Sequence, residues 1–179
     1  MWPRARKSAE RPFFPLASVA LLFAYGAVLC SHTSFIAGFA DTYVYLNAAR
    51  LFAEGKLAAR VNGVEELGLP DSYRPLFIPI GFSPGREPGT MVSAYPSGLP
   101  LHMAGAALLF GWARAPFLVV PLAALLSLVL IYLLGRELGL PRAFSVAGAA
   151  LLAALPTFVS YALEPVSDVP ATFWALAAV

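Results

Sequence analysis

The sequence predicts an all-α membrane protein, a multi-pass helical bundle whose long first outer loop carries juxtamembrane helices. Three observations predict it. Hydrophobic residues make up 59% of the chain and charged residues only 12%, about half the charge of a soluble domain of this length. Mean hydropathy is +0.74. The basic residues lie at the chain start and in short loops rather than in a patch, which is how orientation signals are placed and offers no footing to a nucleic acid. The single cysteine, Cys30, excludes an internal disulfide and a cysteine metal site.

The first element is an apolar run over residues 13–32, preceded by Arg4, Arg6, Lys7 and Arg11. It exceeds the roughly 7–15 apolar residues of a cleaved signal peptide and is expected to be a retained signal anchor. Ala27-Val28-Leu29-Cys30 faintly resembles a lipoprotein cleavage box, but Leu29 is too large for the position before the cysteine. Cys30 is therefore expected as a buried small apolar residue. The positive-inside rule puts the N-terminus in the cytoplasm and the following segment outside.

The outer loop, residues 33–114, opens on Phe39-Ala40-Asp41-Thr42-Tyr43-Val44-Tyr45. Tyr45, Ala48, Ala49 and Phe52 fall at helical spacing, and Gly55 makes a C-terminal stop. The Pro- and Gly-rich stretch from Pro70 to Gly89 fixes turns and forbids long helices. Its interleaved Tyr73, Leu76, Phe77, Ile78 and Ile80 separate it from disordered linkers. Gly81-Phe-Ser-Pro-Gly85 reads as turn chemistry. Residues 99–112 form an apolar segment nearer the ~10–14 residues of an interfacial helix than the ~20 of a span.

Residues 115–134 are a charge-free span and residues 143–163 the next, with Pro121 and Pro156 expected as kinks. A further apolar run opens at residue 171, so the chain reads as the N-terminal part of a longer protein. Arg136 and Arg142 place their loop in the cytoplasm. By parity, the 99–112 segment stays on the outer surface, and Glu164 and Asp168 return to the same side as Asp41. An acid at a membrane surface is expensive unless it binds or reacts with something.

The first span, the Asp41-x-x-x-Tyr45 helix, Gly55-Lys56, Tyr95-Pro-Ser-Gly-Leu-Pro-Leu, Leu133-Leu-Gly-Arg-Glu-Leu-Gly139 and an acidic loop ending at Asp168 occur in an order that resembles the start of the GT-C-fold integral-membrane glycosyltransferases. That superfamily includes the protein O-mannosyltransferases, the aminoarabinose transferases of lipid A and the RgtA/B/C/D-like transferases. The resemblance implies inverting transfer of a sugar from a polyprenyl-phosphate carrier to a glycan, lipid or protein acceptor at the outer face of the cell membrane. It implies Asp41 as the catalytic acid of the first outer loop and Asp168 as its assistant from the second, with Glu164 next in line. Tyr45, Glu164, Arg74 and Arg86 are the candidate substrate-binding residues. No cofactor is implied, and a divalent metal is left open. Relatives often carry a second acid or a proline beside the first Asp; Thr42 stands there here, which leaves the acceptor class open.

The chemistry agrees with the residue types. Moving a sugar to a hydroxyl needs a base, which a carboxylate within hydrogen-bond reach supplies. A departing lipid phosphate is best met by arginine. Plainer roles stand beside these. Asp41 and Asp168 are also good helix N-caps, Arg74 and Arg86 good solvated loop charges, and Tyr43, Tyr45 and Tyr95 good interface anchors. His32 and His102 have no cluster of further ligands around them, so no zinc site is expected. The alternative to an enzyme is a non-catalytic membrane protein, either a transporter or scaffold module, or an inactive truncated glycosyltransferase.

Overall fold

The computed structural model describes residues 16–179. The expected start of the first span at residue 13 and the cluster Arg4, Arg6, Lys7 and Arg11 lie outside the described residues. Helix α1 runs over Leu16–His32 and α2 over Ala40–Ala53. The loop beyond α2 contains strands β1 (Ala59–Arg60), β2 (Phe82–Pro84) and β3 (Thr90–Ser93), with a 3-10 turn over Asp71–Phe77. Five helices follow: α3 (Gly98–Phe110), α4 (Ala115–Glu137), α5 (Arg142–Ala154), α6 (Pro156–Leu163) and α7 (Asp168–Ala177).

The molecule is mostly helical, but the all-α expectation needs correction. The three strands form an antiparallel sheet in the order β1-β3-β2, with Ala59 opposite Met91 and Ser83 opposite Val92. Local chemistry explains it. The prolines and glycines of this stretch bar long helices. Gly89, at φ +78°, turns the chain back so that β3 lies along β2. The turn closes with the Gly85 N–H donating to the Thr90 carbonyl at 2.8 Å.

Helix α2 ends where Gly55 predicts. Gly55 takes φ +71°, its N–H donates to the Phe52 carbonyl at 3.0 Å, and the Lys56 N–H donates to the Leu51 carbonyl at 2.8 Å. These two bonds satisfy carbonyls that the helix end would otherwise leave open.

Helix α4 is continuous through Pro121 and, at 23 residues, is the one described helix long and apolar enough to cross a membrane unaided. At 1.5 Å per residue it measures about 34 Å, close to the thickness of a bilayer's hydrocarbon core. The expected 143–163 span is two helices, α5 and α6, bent by 63° at their junction. Leu155, the residue before Pro156, sits in the extended region at ψ 120°, because a following proline disfavours the helical conformation. The pair is long and apolar enough to cross a membrane only when taken together.

The core collects residues from α4 and five helices around it. Leu29, Tyr45, Ala49, Met103, Val120, Ala124, Phe158 and Val169 are all buried in it. Facing outward, Leu21 and Phe23 on α1, Leu108 to Phe110 on α3, Leu122 on α4 and Leu151 on α5 are exposed. Cys30, expected to be buried, is exposed on α1, because Leu29 occupies the inward position next to it.

Two contacts mark one end of the bundle and a third the other. Phe35, just past α1, meets Phe117 at the start of α4 with ring centroids 6.1 Å apart. The start of α2 meets the start of α7 through Tyr45 and Ser167. Arg136 lies at the far end of α4, where its guanidinium donates to the Leu140 carbonyl at 2.8 Å. An apolar cleft of about 340 Å³, lined by Tyr25, Leu128, Tyr132 and Ala150 among others, opens between α1, α4 and α5 toward that far end.

Candidate functional site

The candidate site starts at the N-terminus of α2. The N-cap is Phe39, whose side chain cannot accept a hydrogen bond, and the Tyr43 N–H closes the first turn onto the Phe39 carbonyl at 3.0 Å. Asp41 therefore lies inside the first turn and is not the cap, which removes the plain capping role weighed for it. Its negative charge sits at the positive end of the helix dipole, a favourable place for a carboxylate.

The carboxylate is engaged elsewhere. The Tyr95 hydroxyl donates to Asp41 Oδ1 at 2.6 Å across 54 residues of sequence, the short distance typical of a hydrogen bond to an ionised acceptor. Asp41 is exposed and Tyr95 half-buried. This bond, and then burial, push the Tyr95 phenol above its ordinary value, because the protonated hydroxyl is the form that donates.

Tyr95 stacks beside Tyr45, with ring centroids 5.3 Å apart and planes inclined at 34°. Tyr45 is buried on the inner face of α2, and its hydroxyl donates to Ser167 Oγ at 2.9 Å. Ser167 is the N-cap residue of α7, and Asp168 is that helix's first residue. The chain Asp41–Tyr95–Tyr45–Ser167 thus joins the first acidic segment to the second, which puts Asp168 one residue from the end of the chain of contacts. Asp168 is exposed, and its carbonyl accepts the Thr172 hydroxyl at 2.9 Å. Ser167, not Asp168, occupies the cap position, without a side-chain cap bond. The helix starts three residues before residue 171, where the apolar run was expected to open. Glu164 is half-buried, and its carbonyl accepts the Val166 N–H at 2.8 Å.

The other expected substrate-binding residues are placed differently. Tyr45 is covered by the core, so it supports the site rather than presenting itself to a ligand. Arg74 is held by Asp71 at 2.6 Å and by Glu65 at 3.4 Å. Those bonds push the guanidinium further above its already high value, Asp71 having the larger effect. A cation already matched by two carboxylates has little left for a phosphate, so Arg74 is better described as a brace of the loop. It borders a polar basin with Arg60, Asn62, Glu66 and Glu87, away from the tyrosine pair. Arg86 is exposed in the β2–β3 turn.

Two participants were not singled out from sequence as site residues. Tyr95 was weighed only as an interface anchor, although it opens the Tyr95-Pro-Ser-Gly run. Ser167 carried no signal beyond standing next to Asp168. Gly81 is also more than a turn residue. It takes φ +86°, and a Cβ there would overlap Val44 Cγ2 and come within 3.2 Å of Tyr95 Cε2. The Ala94 N–H donates to the Gly81 carbonyl at 2.9 Å, so this glycine sets how closely the segment after β3, which carries Tyr95, approaches α2.

Among the described residues, no three of His, Cys, Asp and Glu converge in a way that could hold a metal ion. His102 donates from Nδ1 to the Gly98 carbonyl at 2.7 Å and packs near Trp174. No protein-family model matches the sequence, and no curated protein or solved structure shows significant similarity to it.

Proposed function

We propose that this chain is part of a multi-pass membrane glycosyltransferase of the GT-C type, with Asp41 as the catalytic base at the outer face. The observation that carries this reading is the Asp41–Tyr95–Tyr45–Ser167 chain of contacts, which brings two acidic segments more than 120 residues apart onto one end of the bundle.

The membrane setting has its own support. α4 is long enough to span, the bent α5–α6 pair reaches that length when taken as one span, and α1 is an apolar helix of 17 residues. A helix that is apolar on its outer as well as its inner face fits a lipid surround. With α4 as a reference axis, Phe35, Asp41 and Asp168 belong to one end and Arg136 to the other. That division agrees with the two acidic segments lying outside and the Arg136 loop lying inside.

In the reaction, an acceptor hydroxyl oxygen forms a bond to the anomeric carbon as the bond from that carbon to the phosphate oxygen breaks. Polyprenyl phosphate leaves with the electron pair, and the configuration inverts. The hydroxyl proton passes to a carboxylate of Asp41 within hydrogen-bond reach. Tyr95 fixes Oδ1 and leaves Oδ2 for the acceptor. Asp168 stands across the tyrosine pair as the second acid.

The deciding experiment is Asp41→Asn in membranes containing a polyprenyl-phosphate sugar, read as release of polyprenyl phosphate. Loss of release, with insertion and melting unchanged, is expected; release at the wild-type rate would remove Asp41 from the chemistry.

A further inference from the structure

The arginines that sequence reasoning offered to a phosphate are committed or remote, and two others are in a better position. Arg50, in the last turn of α2, sits over the Trp112 ring with its guanidinium carbon 5.8 Å from the centroid. Arg114, at the N-cap of α4, sits over the Phe35 ring at 5.4 Å. Both side chains are exposed, and among the described residues neither has a carboxylate within 4.0 Å. Trp112 and Arg114 share the short turn between α3 and α4, so the two cation–ring pairs flank one turn. A guanidinium resting on a ring is held in place without using up its N–H donors.

The surroundings are apolar. Leu108, Leu109 and Phe110, which lead into this turn, are 67%, 76% and 82% exposed. An aromatic turn with two cations unmatched by carboxylates, bordering a strip of exposed leucine and phenylalanine, has the composition of a membrane–water boundary. Its unmatched charge calls for an anion there. Arg50 is nine residues along α2 from Asp41, about 13 Å, so it is not part of the Asp41–Tyr95 pair.

We propose that Arg50 and Arg114 form a binding site for the phosphate of an anionic membrane lipid headgroup, whose acyl chains lie along the exposed end of α3. The site pins the α3–α4 turn to the bilayer surface. It rests on the membrane reading above but not on sugar transfer.

Trp112 reports on its own site. In the 179-residue chain carrying Trp2→Phe and Trp174→Phe, Trp112 is the remaining tryptophan. The protein is placed in lipid nanodiscs containing brominated phosphatidylglycerol or, separately, brominated phosphatidylcholine at equal fraction, and fluorescence quenching is measured. Enrichment of the anionic lipid is expected, about fivefold per arginine at low salt. It should fall as salt shortens the screening length from about 10 Å at 0.1 M to about 3 Å at 1 M. Arg50→Gln with Arg114→Gln should abolish the enrichment. Equal quenching by the two lipids, or enrichment indifferent to salt, overturns the proposal without recourse to any variant. Enrichment abolished by inorganic phosphate at constant ionic strength assigns the site to a free phosphate and overturns the lipid. A protein that enters nanodiscs but shows no enrichment refutes this site alone, whereas one that will not enter them refutes the membrane reading as well.

Discussion

Gly81→Ala should loosen the candidate site more than its size suggests, and the reason can be split into two parts. Gly81 has φ +86°, a conformation that costs an L-residue roughly 1–2 kcal/mol. Its new Cβ would also overlap Val44 Cγ2, the end of a fully buried side chain, and press on the Tyr95 ring. Valine is stiff about χ1 in a helix and cannot swing aside, and overpacking of this kind costs typically about 1–3 kcal/mol. Together these give about 2–5 kcal/mol, a fall in melting temperature of about 4–20 °C for a chain of this size. Two comparators separate the parts. Gly55 has φ +71° but nothing within 4 Å of an added Cβ, so Gly55→Ala should lose only the conformational ~1–2 kcal/mol. Gly105 is inside α3 with open space around it and a negative φ, so alanine there should stabilise by about 0.5–1 kcal/mol. The expected order of melting temperatures, measured together in one detergent, is Gly105→Ala, wild type, Gly55→Ala, Gly81→Ala. If Gly81→Ala melts with Gly55→Ala, the close approach to Val44 has no energetic weight, and the account of how Tyr95 is held against α2 fails.

Tyr45→Phe keeps the ring against Tyr95 but removes the bond to Ser167, so it should lower stability by about 1 kcal/mol. Because one bond is at stake, adding Ser167→Ala should cost little more, and a fully additive double variant would show that the two hydroxyls act separately. The Tyr95 phenol is pushed up by its bond to Asp41, so its folded value lies above the ordinary value of about 10. By linkage, its contribution is fully present below that ordinary value and is lost as pH rises through the higher folded one. In an ultraviolet tyrosinate titration, Tyr95→Phe should accordingly remove a late-ionising tyrosine, and loss of an early one would contradict the bond. Pro156→Ala should relieve the 63° bend. Spin labels at Arg142 and Leu163 in a Cys30→Ser background should then move apart by about 4 Å, from about 27 Å toward the ~31 Å of a straight helix. An unchanged distance would mean that packing against α4, and not the proline, sets the bend.

What could be read from the sequence was what local periodicity and punctuation encode. The apolar runs located α1 and α4, Gly55 located the end of α2, and the short 99–112 segment became α3 within two residues at its far end. The sheet escaped because its strands are two to four residues long, too short to show alternation. The kink expected at Pro156 is present as a 63° bend, but the one expected at Pro121 does not break α4, because a proline in an apolar run looks the same at both positions. Neighbours in space made the difference, and a sequence pattern does not contain them. Arg74 could have been foreseen, since Asp71 stands three residues before it.

The pairing of Tyr95 with Asp41 could not have been foreseen, and it bears most directly on function. An acid in the first turn of a helix usually has a local explanation in capping. Phe39 takes the cap position here, so Asp41 is released from that duty while keeping the benefit of the helix dipole. A tyrosine 54 residues away then claims one carboxylate oxygen, and a second tyrosine, stacked on the first, ties the arrangement to the helix that begins with the other acid. Nothing in that sequence of contacts is needed to form α2 or α7, each of which closes its first turn through its own backbone. That long-range constraint holds the exposed Asp41 carboxylate directly and anchors Ser167, the residue beside the exposed Asp168.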